Sequence, residues 1–295
     1  MRIGIDLGGT KIAAIAMTEA GVELQRLRQA TPQDDYAGIL ACIRSLVASL
    51  ERDHGRADRI GIGTPGSPSP ATGLIRNSNS LVLNGKPLQK DLEAALGRSL
   101  KLANDANCFA LSEARDGAAA DAACVFGVIV GTGTGAGIVV RGELQQGVNR
   151  IGGEWGHNPL PWPRDDERPG PACYCGRQGC IETWLSGPGL SAAHQRDTGA
   201  WLTARDIATA AAAGEAAEGR SLAQYAERMA RSLASVINVL DPDVIVLGGG
   251  LGQIEALYRL VPACWGQYVF SDTVRTRLVP PSHGDDSGLR GAALL

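Results

Sequence analysis

Apolar positions in the first half of the chain come in short runs separated by glycine turns. "RIGIDL", residues 2–7, predicts a strand that ends in the turn "GGTK". The next run, "IAAIAM", fits helix or strand by periodicity alone, but Gly21 and the alternating "VELQRL" favour a meander of strands. Tyr36, Ile39, Leu40, Ile43, Leu46, Val47 and Leu50 recur at helical spacing and predict an amphipathic helix over about 34–52. "RIGIGTPG" reads as a strand ending in a turn. Residues 65–87, rich in Pro, Gly, Ser and Asn, predict a long loop, and loops of that length usually carry function. "SLKLAND" predicts a strand, with a helix starting close to Asp105.

The pattern then recurs. "CVFGVIV" is a strand, "GTGTGAG" a glycine loop and "IVVRGEL" a returning strand. Two strand–glycine loop–strand units, at 3–17 and 124–144, predict an internally duplicated protein of two domains with a ligand between the halves. Leu222, Ala226, Met229, Leu233, Val236 and Leu240 predict a second amphipathic helix that Asp241-Pro242 stops. "DVIVLGGG" is a buried strand ending in a third glycine loop, and "SGLRGAALL" predicts a short closing helix.

Composition narrows the function classes. The chain has 295 residues, 44% apolar and 20% charged, enough for two domains with sizeable cores. A net charge of −3 with no basic block argues against nucleic acid or an anionic membrane as partner. Ala122–Val140 is uncharged and long enough to span a bilayer, but its glycines make a poor helix, so two buried strands around a loop fit better. Asp6, Lys11 and the glycine turn exclude a signal peptide at the N-terminus. Seven cysteines without such a signal point to a reducing, cytoplasmic setting. Cys42, Cys108, Cys124 and Cys264 read as core residues.

Three features carry candidate chemistry. Glycine loops present backbone N–H groups to anions. Three of them, each after an apolar strand and the first flanked by Asp6 and Lys11, favour a nucleotide-phosphate site over three plain turns. None is a Walker A loop or a clean Rossmann fingerprint. Asp6 is the expected Mg²⁺ ligand, directly or through water. In "LANDAN", Asn104 and Asp105 stand at a strand-to-helix junction, where spacing alone reads as an N-cap. A phosphotransferase needs a carboxylate in such a place to accept the proton of the attacking hydroxyl. In "CYCGRQGC", Cys173, Cys175 and Cys180 join His157 of "GGEWGHNPLPW" in a Cys3His set suited to structural zinc. The alternatives are a disulfide with a free thiol, which the compartment disfavours, or no site. Five prolines between His157 and Cys173 restrict the connecting loop. Glu154 and Glu182 flank the same cluster, either as solvated surface groups or as acceptors for a polyhydroxyl substrate.

"GIDLGGTK", "NDAN", "GTGTGAGIV", "GGEWGHNPL", "CYCGRQGCIET" and "DPDVIVLGGG" occur in the order of the ROK family of sugar kinases, and the resemblance covers essentially the whole chain. "ANDANC", "GEWGHNPLPW", "CYCG.QGCIET" and the closing "HGDDSG.RGAA" look like its bacterial fructokinase (manno/fructokinase) branch. The resemblance implies an α/β actin-like, ribonuclease-H-like fold of two lobes with ATP in the cleft. Expected boundaries are 1–118 plus about 282–295 for the small lobe and 119–281 for the large lobe carrying the zinc site. By the same resemblance, Gly4, Ile5, Asp6, Leu7, Gly8, Gly9, Thr10 and Lys11 hold ATP phosphates. So do Gly131, Thr132, Gly133, Thr134, Gly135, Ala136, Gly137 and Ile138, while Gly249 and Gly250 lie near the nucleoside. Asp105 is the implied general base for a sugar 6-hydroxyl, and Asn104, Glu154, His157 and Glu182 contact the sugar, joined by Gly66 and Asn77. His157 then serves twice, on zinc and beside a sugar hydroxyl. The implied partners are ATP with Mg²⁺, a hexose (fructose first; mannose, glucose or an N-acetylhexosamine as alternatives) and a second copy in a homodimer. A sugar-sensing regulator of the same fold is the rival of another class. The first strand at residue 2 and the Asn104–Asp105 pair speak against it.

Overall fold

The computed structural model describes all 295 residues, Met1–Leu295. They divide into two compact units: Met1–Asp121 with Gly137–Gly153 and Asp285–Leu295, and Ala122–Ala136 with Glu154–Gly284. Residues 137–153, expected in the second unit, group with the first. Leu144 packs on Ala103, Cys108 and Ala292, and Arg76 donates to the Asn149 carbonyl at 2.6 Å.

In the first unit, strands β1 (Arg2–Leu7), β2 (Lys11–Met17), β3 (Glu23–Ala30) and β4 (Arg59–Thr64) form one sheet with β7 (Lys101–Asn104), in the order β3-β2-β1-β4-β7. β1, β2 and β3 run antiparallel, while β1, β4 and β7 are parallel. A small hairpin of β5 (Ser67–Pro68) and β6 (Ile75–Arg76) lies in the stretch expected to be a loop. Helices α1 (Tyr36–His54), α2 (Leu88–Leu96), α3 (Asp105–Arg115) and α9 (Ser287–Ala293) complete the unit.

Period-2 geometry explains why "IAAIAM" is apolar without a break. Ile12, Ala14 and Ala16 join the cluster of Ile39, Ile43, Leu46 and Leu50 from α1, whereas Ala13, Ile15 and Met17 join Leu289 and Ala293 of α9. A strand covered on both faces has no polar face to show. The α1 start is fixed by Asp35, whose side chain accepts the Gly38 N–H at 2.9 Å. α9 sits so close that a Cβ at Gly61 would run into the Ala292 carbonyl, and one at Gly291 into the Cys108 carbonyl.

The second sheet repeats the plan. β8 (Cys124–Val130), β9 (Thr134–Val140), β10 (Glu143–Leu144), β11 (Val244–Gly248) and β12 (Arg277–Val279) are ordered β10-β9-β8-β11-β12, with β8, β11 and β12 parallel. Within β9 the chain passes from the second unit into the first. The "GTGTGAG" loop is shorter than expected: only Gly131–Gly133 turn, and Thr134–Ile138 already belong to β9. Around this sheet the unit carries α4 (Ile181–Leu185), α5 (Gly187–Thr198), α6 (Ala204–Ala212), α7 (Ala216–Leu240) and α8 (Leu257–Trp265). α7 ends where Asp241 takes a left-handed conformation (φ 47°) before Pro242. No helix is long and apolar enough to cross a membrane.

Candidate active site and metal centre

Parallel strands of open α/β sheets present ligands at their carboxyl ends. In the first unit that edge holds Asp6 at the end of β1, the Gly8–Thr10 turn, Thr64 of β4, and Asn104–Asp105 after β7. Asn104 is the N-cap of α3, as the spacing alone predicts: its Oδ1 accepts the Ala106 N–H at 2.9 Å. Its amide also donates to the Gly66 carbonyl at 3.4 Å. Gly66 and Asn77 flank the paired ends of the β5–β6 hairpin, both at positive φ, so Gly66, Asn77 and Asn104 are brought together.

Asp105 opens α3, with Oδ1 accepting from the Ala106 N–H at 2.8 Å. Its carboxylate keeps solvent access, yet the protein crowding around it raises its pKa above the ordinary value, against the pull of the Ala106 and Asp105 N–H groups and Asn104. Asp6 is pushed up to about 6, first by burial and then by the Asp105 charge, with Lys11 opposing. The thiol of Cys108, one turn into α3, is raised by burial and then by the charges of Asp6 and Asp105. Two carboxylates thus share one patch at the strand ends, a donor set that a hard divalent cation relieves.

In the second unit the Gly131–Gly133 turn and Gly249 follow the parallel strands β8 and β11. Gly249 has φ 77° and lies against the Val130 backbone, where a Cβ has no room. Beyond it opens a cavity of about 1210 Å³ lined by Gly250, Leu251, Gln253, Glu255, Arg205 and Arg259 among others. The Gly131–Gly133 turn is braced from α4 and α5. Glu182 accepts the Thr134 N–H at 2.8 Å, and the Gly187 N–H donates to the Gly131 carbonyl at 2.8 Å. One oxygen of Glu182, expected at a sugar, is therefore already engaged with the glycine turn.

Trp155 packs edge-to-face on Phe126 of β8 (5.6 Å, 82°) and fixes a single 3-10 turn, Trp155–His157, with Glu154 as its N-cap. Residues 158–160 then pair with 179–181 through bonds from Leu160 N–H to Gly179 and from Ile181 N–H to Asn158. A second hairpin, closed by Cys173 N–H to Arg177 and Gly179 N–H to Pro171, carries the cysteines. Its turn brings one ligand atom each of His157, Cys173, Cys175 and Cys180 within 4.8 Å of one another. The Cys175 and Cys180 sulfurs are 3.7 Å apart, and Cys173 Sγ is 3.6 Å from His157 Nδ1. A tetrahedral zinc with Zn–S of about 2.3 Å spaces its ligands roughly 3.8 Å apart, whereas a disulfide needs about 2 Å. All seven cysteines are free, and Cys124 and Cys264 are only half-buried. The donor set fits a metal and not a disulfide.

Two features escaped the sequence reading. Tyr174, between two of the cysteines, donates to or accepts from His157 Nε2 at 3.0 Å. An aromatic placed between metal-spaced cysteines was the available signal. The second is the anchor of the proline-rich loop. Glu167 Oε1 accepts from Arg228 at 2.7 Å and from Arg231 at 2.8 Å, all three nearly fully buried. Arg231 also donates to the Trp162 carbonyl at 2.5 Å. Its signal was two arginines, three apart, on the buried face of α7.

The ROK family model matches residues 2–295. Across 299 aligned positions, spanning 100% of this chain and 99% of the relative, the sequence is 39% identical to an N-acetyl-D-glucosamine kinase of Vibrio cholerae. With the same coverage it is 38% identical to one of Vibrio vulnificus. A ROK hexokinase from Thermus thermophilus superposes with a TM-score of 0.88 at 32% identity over 99% of this chain and 96% of that one. A ROK glucokinase from Streptomyces griseus, solved with glucose and AMPPNP, gives 0.78 at 27% identity over 99% and 97%. Since model, relatives and structures all run from the first strand to the last helix, the chain belongs to the ROK family and has the actin-like fold of its kinases.

Proposed function

We propose that the protein transfers the γ-phosphoryl group of ATP to the 6-hydroxyl of a hexose. The observation that carries this reading is Asp105, an accessible carboxylate at the carboxyl end of a parallel strand with its pKa raised above the ordinary range. Such a group takes the proton of the sugar hydroxyl as its oxygen attacks the γ-phosphorus and ADP leaves. Residues 4–11 and 131–138 hold the phosphates, and the cavity beside Gly249 and Gly250 takes the nucleoside. Asp6 would hold Mg²⁺, which supplies charge neutralisation at the phosphates. His157, Cys173, Cys175 and Cys180 would hold zinc, whose four protein ligands make it a structural ion. Asn104, Glu154, His157 and Glu182, with Gly66 and Asn77, offer donors and acceptors to sugar hydroxyls. A homodimer in a reducing cytoplasm completes the reading.

Fructose is the proposed substrate, on the strength of "GEWGHNPLPW", "CYCGRQGCIET" and the closing "HGDDSG" motif. The second reading is N-acetyl-D-glucosamine, favoured by relatives 38–39% identical over the whole chain. Coupled measurement of ADP release with fructose, mannose, glucose and N-acetyl-D-glucosamine separates them. A kcat/KM highest for N-acetyl-D-glucosamine overturns fructose, and ADP release with none of the four overturns the kinase reading.

A further inference from the structure

His157 has two distinct sides. Its Nδ1 faces the Cys173 sulfur at 3.6 Å, inside the cluster of metal-spaced ligands. Its Nε2 faces outward and meets the Tyr174 hydroxyl at 3.0 Å, with the two rings edge-to-face at 5.1 Å and 87°. When Nδ1 is given to a metal, Nε2 carries the ring hydrogen and is a donor seeking an oxygen. The Tyr174 hydroxyl meets that need in the absence of other ligands.

The surroundings of that hydroxyl are those of the proposed sugar site. Tyr174 is 79% exposed, so its ring is not held by a core. The charges of Glu182 and Glu154 both reach its phenol. Tyr174, Thr132 and Glu182 line one small cavity of about 260 Å³. Cys173 and Cys175 flank it in sequence, so the cluster fixes its backbone and leaves side-chain rotation as its freedom.

We propose that the Tyr174 hydroxyl is a placeholder on His157 Nε2: it occupies the donor that a hexose hydroxyl takes and swings away when sugar docks. The proposal rests on the hexose-kinase reading. A sugar hydroxyl and a phenol hydroxyl are both neutral oxygen acceptors, so the exchange swaps one hydrogen bond for a similar one. While free of sugar, the bond keeps the imidazole in one orientation. On binding, the sugar must first compete with it, and that competition weakens affinity. Tyr174 is thus a positioning residue that tunes sugar affinity through His157, and it leaves the phosphoryl-transfer step alone.

Tyr174→Phe keeps the edge-to-face ring and removes the competitor. Sugar affinity is measured by calorimetry without nucleotide, using the sugar that the ADP assay selects, alongside KM, kcat and zinc content per chain. The expected result is a Kd and a sugar KM both lower by about 2- to 10-fold, the range of one net hydrogen bond. kcat, the KM for ATP and zinc content should stay at wild-type values. An unchanged sugar Kd overturns the proposal, and a raised Kd does so too, because it makes the hydroxyl a direct sugar contact. Loss of zinc overturns it by assigning Tyr174 to the cluster. Wild-type protein that neither binds nor phosphorylates any hexose sinks the kinase reading and this proposal together, whereas an active wild type with an unchanged variant Kd sinks this proposal alone.

Discussion

Replacing Glu167 with glutamine keeps the side chain's shape and removes its charge. In the native protein burial alone would raise this carboxyl. Bonds from Arg231 and Arg228 and the Arg164 N–H outweigh that and hold it at about 2, against an ordinary 4.5. A move from 4.5 to about 2 corresponds to about 3 kcal/mol of stability at neutral pH. Glu167 is 4% exposed, so solvent screening takes little from that figure. The sign follows from the lowered value: the contribution is complete above pH 4.5 and disappears as pH falls towards 2. In Glu167→Gln, Arg228 keeps a buried charge without its counterion, while Arg231 retains Glu227 at 3.1 Å. Thermal unfolding followed by tryptophan fluorescence should show a midpoint lower by about 6–12 °C at pH 7.5. Trp155, Trp162 and Trp184 all report on this unit. The difference should hold down to about pH 5 and narrow below 4.5. A variant within about 0.5 kcal/mol of wild type at neutral pH would refute the reasoning, because that is the value of a surface ion pair.

Four other predictions test separate parts. Asp105→Asn should keep sugar binding and lose roughly 10²–10⁴-fold in kcat, and near-normal turnover would remove the base assignment. In the wild type the acid limb of kcat/KM should titrate above 3.8, the ordinary carboxyl value, and a limb at or below it would contradict the raised Asp105. Cys175→Ser should lose bound zinc by elemental analysis, while full metal content would show that this sulfur is no ligand. Gly291→Ala should lower the thermal midpoint by several degrees, since the added methyl meets the Cys108 carbonyl, and an unshifted midpoint would show that α9 yields freely.

What the sequence disclosed was local. The repeated strand–turn–strand pattern announced two similar sheets, and helical spacing marked α1 and α7 because each buries one face. The Cys3His spacing was legible because metal geometry constrains residue type. By contrast, "IAAIAM" gave no period, since β2 is covered on both faces. The glycine loop looked longer than it is because Gly135 and Gly137 lie within a strand. Glu167 finds its arginines 61 and 64 residues away, a separation no local pattern records. Tyr174 meets His157 only after two hairpins fold.

The closing helix has a consequence for how the chain is made. α9 touches β1, β2, β4 and α3, so the opening sheet lacks one cover until residues 287–293 exist. A ribosome delivers residues 122–284 before them, and the second unit has its full sequence by then. Nascent chains should therefore gain protease resistance in the later unit first, with the earlier one held open and dependent on chaperones until residues 287–293 have been made.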